Sequence, residues 1–457
     1  MNCIKTSDQL LDYIQRSNVK TVRFEFSDIN GITRCKLIST HNLKDFAVYL
    51  DKGVQFPSLW LCEDTEGKIY DCALTQKYRF TDVSGLPSLN TFTLVPWDHG
   101  LARITTVIHD LHGKAPLMEH PRNIATQQLE HLKDLGYSLL SGYEAEFRIT
   151  EVKSGEPVLN QVISGNVLRL LMANAYIKDL MGYLPQVGVD VDTVHSESDV
   201  GSLEVTCKPS FGITSADKVV LCKNACKEIA LNHGYIASFI PSVNESSEVC
   251  SLHFNHSLWD SKTGNVFHDK TTGDLTDIAK HWIAGLLAHA RALTTLMAPS
   301  VNGIKSFGAY QPPSSFEPSF VTWGKHNRSV TFRVKESGPQ DSYIENRIPR
   351  SDADPYVILA GTVAAGMDGV INKLSLPPES TGDASKESNI PPLTQKIPCD
   401  MEDGVNALLE DKVLRRALGE DLVDLLVAAR RNEIKRCNGP TTSKPGPDKY
   451  KGFFDVM

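Results

Sequence analysis

The sequence predicts a protein that combines helices and strands in two parts, a small sheet-rich N-terminal part and a larger part in which strands and helices alternate. In the first part, residues 22–26 alternate between apolar and polar side chains, which is the period of a half-buried strand. After Pro121 the apolar residues take helical spacing instead. Neither part contains a Gly-rich phosphate loop, which excludes nucleotide sites of the Rossmann and Walker types.

The composition of the chain argues against nucleic-acid and membrane partners. The chain has 457 residues, enough for about two to three domains, and a formal net charge of −8 without a dense block of Lys and Arg. The longest apolar run, residues 356–371, is interrupted by Gly361, Gly366 and Asp368, which predicts a buried helix and not a membrane span. The ten cysteines lack zinc spacing, which is typical of free thiols in a reducing compartment. We therefore expect a cytoplasmic protein without nucleic-acid or membrane partners.

The N-terminal part is predicted to form a small sheet that ends near Gly113. Asn30-Gly31 indicates a hairpin turn, because both residues accept positive φ at low cost. Arg23 and Glu25 are expected on the polar face of the first strand. The predicted elements, in order, are a helix at 8–16 and strands at 22–26, 32–38 and 103–108.

The larger part is predicted to be rich in helices. Pro121 suits a first helical position, and the stretch from Thr214 to Asp217 resembles a capping box. Cys222 and Cys226 lie four apart on one helix, which indicates packing. Helices are predicted from 121 to Gly136, at 167–181 with an end at Gly182, at 214–233, at 279–297, at 356–371 and at 421–435, with an exposed connection at 373–394.

Two glutamates on one predicted strand, Glu144 and Glu146, carry the first functional signal. Side chains two apart on a strand leave the same face, so the two carboxylates stand side by side between Tyr143 and Phe147. Two like charges in a partly apolar setting require cations or a raised pKa. The alternative is a solvent-facing strand edge, where the pair would have no special role.

Further acids, one histidine and several arginines extend this signal. The later glutamates are Glu197, Glu204 and Glu345; His253, Asn255 and Ser257 share one face of a strand; the arginines are Arg328, Arg333 and Arg347. Five glutamates with one imidazole suit Mg²⁺ or Mn²⁺ better than zinc, and arginines suit phosphate or carboxylate. Together these groups indicate phosphoryl transfer. Arg328 and Arg333 are an odd number apart, so one regular strand would send them to opposite faces. The alternative is a set of surface glutamates and sheet-edge arginines.

Six motifs in a fixed order support the phosphoryl-transfer interpretation. The set GYEAEF, HSESDVGSLEV, LHFNHSL, HNRSVTFR, IENR and DADPYVILAGTVAAGMDG resembles the glutamine synthetase superfamily, and the likeness runs from residue 22 to about residue 375. The stretches PSFGITSADK, YIASF, HSLWD and HWIAGLLAHARALTTLMAPSV resemble its lengsin branch, the glutamine-synthetase-like proteins of the vertebrate lens.

The resemblance implies an α+β fold and an assembly. The fold would consist of a small β-grasp-like domain at 1–113 and a glutamine-synthetase-type catalytic domain at 114–457 with a curved antiparallel sheet. The assembly would be a homo-oligomer of stacked rings, a dodecamer, with active sites between subunits. The substrates would be a glutamate-like acid, an amine and ATP, with Mg²⁺ or Mn²⁺ as the metal.

The resemblance also assigns roles to individual residues. A first metal site would contain Glu146, Glu197 and Glu204, and a second would contain Glu144, His253 and Glu345. Arg328 and Arg333 would hold the ATP phosphates and the transferred phosphoryl group, Arg347 would lie near the substrate carboxylate, Ser257 would contact the nucleotide, and Glu317 would match the acid of the active-site flap.

Four departures from the family pattern modify the expected activity. Pro57 stands where the family has an aspartate that binds ammonium, as in the branch that joins glutamate to larger amines. Ser306, after Lys305, replaces an arginine that grips the glutamate carboxylate, and Tyr343 replaces an arginine that contacts phosphate. Residues 248–251 replace a Gly-rich turn before His253.

The sequence thus predicts an ATP-dependent carboxylate–amine ligase that acts through a γ-glutamyl phosphate, with an amine other than free ammonium. The alternative is a non-enzymatic, lengsin-type structural or chaperone protein that associates with intermediate filaments.

Overall fold

The protein is represented by a computed structural model that describes residues 4–78, 81–160, 163–242, 248–308 and 316–438. The first sheet has six strands in the order β2-β1-β6-β4-β3, with β5 beside β6. Strands β1 and β6 run parallel, and the other pairs are antiparallel. Its elements are α1 (Ser7–Arg16), β1 (Thr21–Ser27), β2 (Thr33–Ser39), α2 (Leu43–Lys52), β3 (Val54–Pro57), α3 (Ala73–Tyr78), β4 (Asp82–Pro87), β5 (Thr93–Leu94) and β6 (Leu101–His109).

The predicted hairpin between β1 and β2 is confirmed, with one correction. The turn closes through the Asp28 amide, which donates to the Ile32 carbonyl at 2.9 Å, and Gly31 takes the positive φ of 73°. Glu25, expected on the polar face of β1, is instead 1% exposed. It is buried because the guanidinium groups of Arg23 and Arg103 both pair with its carboxylate, which satisfies the buried charge.

The second sheet has ten strands in the order β14-β15-β16-β12-β7-β9-β8, with β10 and β11 beside β7 and β13 beside β12. All its pairs are antiparallel except β14 with β15. The predicted α+β class with a curved antiparallel sheet is confirmed. Its strands are β7 (Ser138–Glu151), β8 (Val191–Ser196), β9 (Ser202–Cys207), β10 (Ser210–Phe211), β11 (Tyr235–Ser238), β12 (Leu252–Asp260), β13 (Gly264–Asn265), β14 (Trp323–Lys325), β15 (Phe332–Lys335) and β16 (Tyr343–Asn346).

Ten α-helices in the described part of the chain accompany this second sheet. They are α4 (Pro121–Asp134), α5 (Val167–Met172), α6 (Asn174–Tyr183), α7 (Thr214–Asn232), α8 (Asp277–Met297), α9 (Val301–Lys305), α10 (Pro355–Ile371), α11 (Met401–Glu410), α12 (Lys412–Leu418) and α13 (Glu420–Asn438). Among the described residues, none of the helices is long and apolar enough to cross a membrane. Eight cysteines in the described ranges, from Cys35 to Cys399, have free thiols, as expected from their spacing.

Two helix predictions need correction. The helix predicted at 167–181 is two helices, because the buried Ala173 leaves helical geometry (φ −109°, ψ 20°) between α5 and α6, and α6 continues past Gly182 to Tyr183. The capping box predicted at Thr214 is absent, since Ile213 is the N-cap of α7 and no side chain caps it. Helices α9, α11 and α12 were not predicted; two of them have fewer than eight residues, too short for a clear period.

A buried hydrogen bond joins the first sheet to the start of α10. Ser27, at the end of β1, donates from Oγ to Oδ2 of Asp354 at 2.8 Å, while the other carboxylate oxygen of Asp354 accepts from the amides of Tyr356 and Val357 at the start of α10. The connection between β6 and α4 separates the two sheets along the chain. The domain boundary near Gly113 falls in this connection and stays a prediction.

Helices α8 and α10 pack closely through glycines. A Cβ atom on Gly285 would lie 2.2 Å from the Ala365 carbonyl oxygen, and one on Gly369 would lie 2.1 Å from the carbonyl oxygen of His281. Both obstructing atoms belong to the backbone and cannot rotate away. The two helices can therefore approach this closely only because Gly285 and Gly369 have no side chains.

Gly285→Ala should lower the stability by about 1–3 kcal/mol, because the added methyl group forces the two backbones apart. Gly182→Ala is the matched control: Gly182 is also helical, but a Cβ there would meet nothing within 4 Å. The control should raise the stability slightly, by up to about 1 kcal/mol, through helix propensity. Thermal unfolding of both variants gives the comparison, and equal melting temperatures would contradict the packing argument.

A buried histidine links three helices in the same region. His289 of α8 bonds through Nδ1 to Asp411 Oδ2 at 2.6 Å and through Nε2 to Asp368 Oδ2 at 3.1 Å. Although burial opposes the charged ring, the hydrogen bonds and charges of Asp411 and Asp368 raise the pKa of His289 above its usual value.

Because the pKa of His289 is higher in the folded state, its stabilisation should be complete below about pH 6.5 and should be lost as the pH rises through the folded pKa. The melting temperature of His289→Gln should therefore fall furthest below the wild type at acidic pH, and the gap should narrow at alkaline pH. His281→Gln is the control, since His281 bonds the Leu374 carbonyl and not a carboxylate. A gap independent of pH would contradict the proposed charged state.

Candidate active site

Strand register builds the site on one face of the second sheet. Glu144 of β7 lies opposite His253 of β12, and Glu345 of β16 lies opposite Arg333 of β15. Residues paired across antiparallel strands share a face and lie within side-chain reach. The predicted acids, histidine and arginines from four separate stretches of sequence therefore meet here.

A second row of paired residues continues from the same strand. Glu146 of β7 lies opposite Glu204 of β9, which in turn lies opposite His195 of β8. The spacing of two between Glu144 and Glu146 thus places one carboxylate in each row.

These residues line one cavity of about 780 Å³. Its walls include every residue of the predicted site except Ser257, together with Lys335, which the sequence did not single out. The predicted residues in the lining are Glu144, Glu146, Glu197, Glu204, His253, Glu317, Arg328, Arg333, Glu345 and Arg347.

The first cluster of possible metal ligands contains Glu144, His253 and Glu345, whose donor atoms all lie within 4.8 Å of one another. Nδ1 of His253 lies 3.4 Å from Glu144 Oε2 and 3.8 Å from Glu345 Oε1. Burial works to raise the pKa of Glu144, but the hydrogen bond and charge of His253 lower it overall. Asn255 donates to the second oxygen of Glu144 at 2.8 Å and so orients the carboxylate.

Three cations hold Glu345 in its charged form. Arg333 Nη1 lies 2.9 Å and Lys335 Nζ lies 3.1 Å from Glu345 Oε2, and Arg347 donates to the other oxygen. Burial alone would raise the pKa of Glu345, but His253, Arg347, Lys335 and Arg333 together keep it well below its usual range. The cations outnumber the acid they surround, so this end of the cavity can accept a further anion.

The second cluster contains His195, Glu197 and Glu204, again with donor atoms within 4.8 Å. His195 Nε2 lies 2.7 Å from Glu197 Oε1, and Nδ1 lies 4.0 Å from Glu204 Oε1. The hydrogen bond to Glu197 raises the pKa of His195. His195 was not predicted as a site residue, although the spacing of two in His195-Ser-Glu197 indicates a shared strand face.

Glu146 lies beside this second cluster and not within it. Its Oε2 accepts from the Ser251 amide at 2.9 Å. Burial, followed by the charges of Glu204 and Glu197, raises the pKa of Glu146 well above its usual value, and burial also raises the pKa of Glu204. His195 pairs with Glu197 and Glu204 but leaves an excess of carboxylates on this side of the cavity, which a divalent cation would neutralise. The donor sets of both clusters, oxygen with one imidazole, fit such a cation.

The odd spacing of Arg328 and Arg333 does not separate them in the structure, because they do not belong to the same strand. Arg333 belongs to β15, whereas Arg328 lies in the turn between β14 and β15, after His326 with its positive φ of 55°. Both arginines line the cavity. Among the described residues Arg328 has no hydrogen-bond or ion-pair partner, so its charge is available to a ligand.

Ser257 and Pro57 lie away from this cavity. Ser257 is buried in β12, and its Oγ accepts from Trp259 Nε1 at 2.9 Å. Pro57 ends β3 in the first sheet. Neither residue is part of the described cavity wall, and their contacts with nucleotide and amine stay predictions.

Two further departures, Tyr343 and Ser306, adjoin the site. Tyr343 lies opposite Lys335, whose Nζ is 5.2 Å from the centre of the tyrosine ring. Ser306 is buried after α9, where its hydroxyl accepts from Arg350 Nε at 3.0 Å. Each of these two residues therefore has a basic side chain beside it.

The comparison with known families agrees with this geometry. Residues 118–444 match the family described as glutamine synthetase, catalytic domain. The chain belongs to the glutamine synthetase family. Ligases of this family generally use ATP and divalent metals.

Relatives within the glutamine synthetase family cover nearly the whole chain. Human lengsin (Homo sapiens) is 33% identical over 456 residues, which span 95% of this chain and 86% of lengsin. A glutamate–isopropylamine ligase from a Pseudomonas species is 27% identical over 440 residues, or 93% of this chain and 94% of the ligase. A solved structure described as a novel glutamine synthase homolog covers 100% of both chains with a TM-score of 0.81 at 21% identity, which supports the fold.

Saturating Mn²⁺ should raise the melting temperature, because a ligand at about one hundred times its Kd stabilises the native state by roughly 2.7 kcal/mol. Glu197→Gln should reduce this Mn²⁺-dependent shift, since it removes a charged ligand from the second cluster. Asp179→Asn is the matched control, because Asp179 also pairs with a histidine, His233, at 2.8 Å, but outside the cavity. An unreduced shift in Glu197→Gln would argue against a metal at His195, Glu197 and Glu204.

Proposed function

We propose that the protein is an ATP-dependent ligase that joins the γ-carboxylate of a glutamate-like acid to an amine other than free ammonium. One observation carries the proposal: a single cavity combines two acid–histidine clusters with the basic side chains of Arg328, Arg333, Lys335 and Arg347. Acid clusters alone would fit a structural cation, and basic side chains alone would fit any anion. Their combination suits an anion that binds together with divalent metal.

Two groups of residues would hold Mg²⁺ or Mn²⁺. Glu144, His253 and Glu345 would hold one ion; Glu197 and Glu204, with Glu146 or His195, would hold the other. When bound, such ions supply positive charge that neutralises phosphate oxygens and favours phosphoryl transfer.

The basic side chains would hold the phosphates. Arg333 and Lys335 stand two apart on β15 and so face the same way, towards the cavity. Arg347 donates from Nη2 to the Phe316 carbonyl at 2.8 Å, which fixes its guanidinium at the cavity wall. Arg328 has no hydrogen-bond or ion-pair partner in the part of the chain that the structure describes, and it would take the charge that develops on the transferred phosphoryl group. The acyl phosphate formed on the acid would then be attacked by the amine.

The amine would be selected partly by a second copy of the chain. Pro57 replaces the acid expected for ammonium, yet it does not reach the described cavity wall of its own chain. A homo-oligomer, a dodecamer of stacked rings, would bring Pro57 of one copy to the cavity of another. An apolar ring in place of a carboxylate favours a larger, partly apolar amine, which agrees with the glutamate–isopropylamine ligase among the relatives.

Purified protein with Mg·ATP and L-glutamate should release phosphate in an amine-dependent manner. A panel from ammonium through alkylamines to diamines should give the highest rates with amines larger than ammonium. Glu146→Ala should lower the rate by at least about a hundredfold, because it removes a charged group at the centre of the site. Mass spectrometry of the γ-glutamyl amide checks that ligation accompanies the release of phosphate. No turnover above the Glu146→Ala level with any amine would refute the ligase proposal.

A second candidate function is a structural or chaperone role on intermediate filaments. It draws on the likeness to lengsin and on the exposed apolar side chains of α5, among them Val167, Leu168 and Leu171. Co-sedimentation with filaments that persists in Glu146→Ala, without any rise of the melting temperature by Mg·ATP, would favour this role. A shift by Mg·ATP that Glu146→Ala abolishes would favour the ligase.

A further inference from the structure

A fully buried arginine lies directly behind the cavity wall. Arg350 follows β16, and its side chain is 0% exposed. Its amide donates to the Met297 carbonyl at 2.8 Å, and its backbone bridges to Ser251. The position of the guanidinium is therefore set by the sheet and by the end of α8.

The guanidinium has one anionic partner among the described residues. Nη2 lies 2.7 Å from Glu317 Oε2, while Nε and Nη1 donate to the hydroxyls of Ser306 and Ser251 at 3.0 and 3.4 Å. The ring of Phe307 lies 4.0 Å from the guanidinium carbon and covers one face. The serine hydroxyls and the ring orient the arginine, and Glu317 is the one acid in the described ranges that pairs with its charge.

Glu317 stands between this arginine and the cavity. Its side chain is 19% exposed and lines the cavity together with Ser251. A buried guanidinium requires an anion, but that anion does not have to be Glu317. A carboxylate that enters the cavity and takes the place of Glu317 would meet the same N–H group in the same geometry.

We propose that Arg350 is the carboxylate-binding group for the acid substrate, and that Glu317 occupies it until the substrate carboxylate takes its place. The resemblance to the family implies a positive charge at residue 306, directly after Lys305. Arg350, whose guanidinium donates to the hydroxyl of Ser306, supplies that charge instead. When the substrate carboxylate replaces Glu317, the buried charge of Arg350 stays paired and Glu317 turns towards the cavity. The identity of the acid as glutamate rests on the proposed function.

Calorimetric titration with L-glutamate in Mg·ADP tests the exchange without turnover. Arg350→Met should weaken glutamate binding by roughly tenfold to a hundredfold, the loss expected for a charged hydrogen bond. Its affinity for Mg·ADP should change by less than about twofold, because Arg350 does not line the metal clusters. Arg122→Met is the matched control, since Arg122 is also buried and pairs with Asp217 at 2.8 Å outside the cavity. Equal affinities for glutamate in wild type and Arg350→Met would overturn the proposal.

Two further variants separate binding from folding. Arg350→Lys keeps the buried charge, so it should fold like the wild type and bind glutamate with an intermediate affinity. Arg350→Met with Ser306→Arg moves the guanidinium to residue 306, and it should recover most of the lost affinity. No recovery in a double variant that melts like the wild type would overturn the assignment.

Glu317→Gln tests the exchange itself. A neutral amide holds Arg350 less firmly, so glutamate should bind a few-fold more tightly than to the wild type. Weaker binding would mean that Glu317 attracts the ligand and does not give way to it, which would overturn the exchange.

The failures of the two proposals are distinguishable. Glutamate binding that depends on Arg350, in a protein without turnover for any amine, would refute the ligase and keep the carboxylate site. Turnover in the wild type, together with glutamate binding that Arg350→Met leaves unchanged, would refute the carboxylate site and keep the ligase.

Discussion

The register of β7 against its two neighbours is the constraint on which the site depends. It sets Glu144 opposite His253 and Glu146 opposite Glu204, so like charges from different strands meet on a half-buried face. Such a face is unfavourable unless other groups neutralise it. A slip of one residue would turn every one of these side chains to the opposite face. The apolar residues between them, Tyr143, Ala145 and Phe147, are buried in the core, and their burial fixes the register.

The two halves of the cavity neutralise their acids differently. On the side of β15 and β16, Glu345 is paired with arginine and lysine and has a pKa well below its usual range. On the side of β8 and β9, burial raises the pKa of Glu204, and within the described ranges no basic side chain besides His195 pairs with the second cluster. The first half can therefore receive an anion, and the second half attracts a cation. That division is the arrangement a metal-bound phosphate requires.

Much of this arrangement could be predicted from the sequence. The spacing of two between Glu144 and Glu146, and the ordered motifs around Glu197, His253 and Arg333, located ten residues that line one cavity. A period of two gave the shared face of Glu144 and Glu146 and that of His253, whereas the resemblance to the glutamine synthetase superfamily supplied Glu317 and the grouping of the ten residues into one site. The hairpin at Gly31 and the helices that begin at Pro121 and Asp277 follow from equally local signals.

What the sequence did not reveal depends on pairing between distant strands. His195 and Lys335 join the site because of the partners that register gives them, Glu204 and Tyr343. Glu25 is buried because two arginines reach it. Arg350 reaches Ser306 from 44 residues away along the chain, and a substitution at residue 306 considered alone had indicated only a lost charge. Local periodicity indicates that His195 shares a face with Glu197, but it contains no information on these pairings between distant residues.

The most direct test of the account is anomalous diffraction from crystals of the protein soaked in Mn²⁺. The account predicts two peaks per chain in the cavity, one bounded by Glu144, His253 and Glu345 and the other by His195, Glu197 and Glu204. Peaks on surface acids alone, with none inside the cavity, would contradict it.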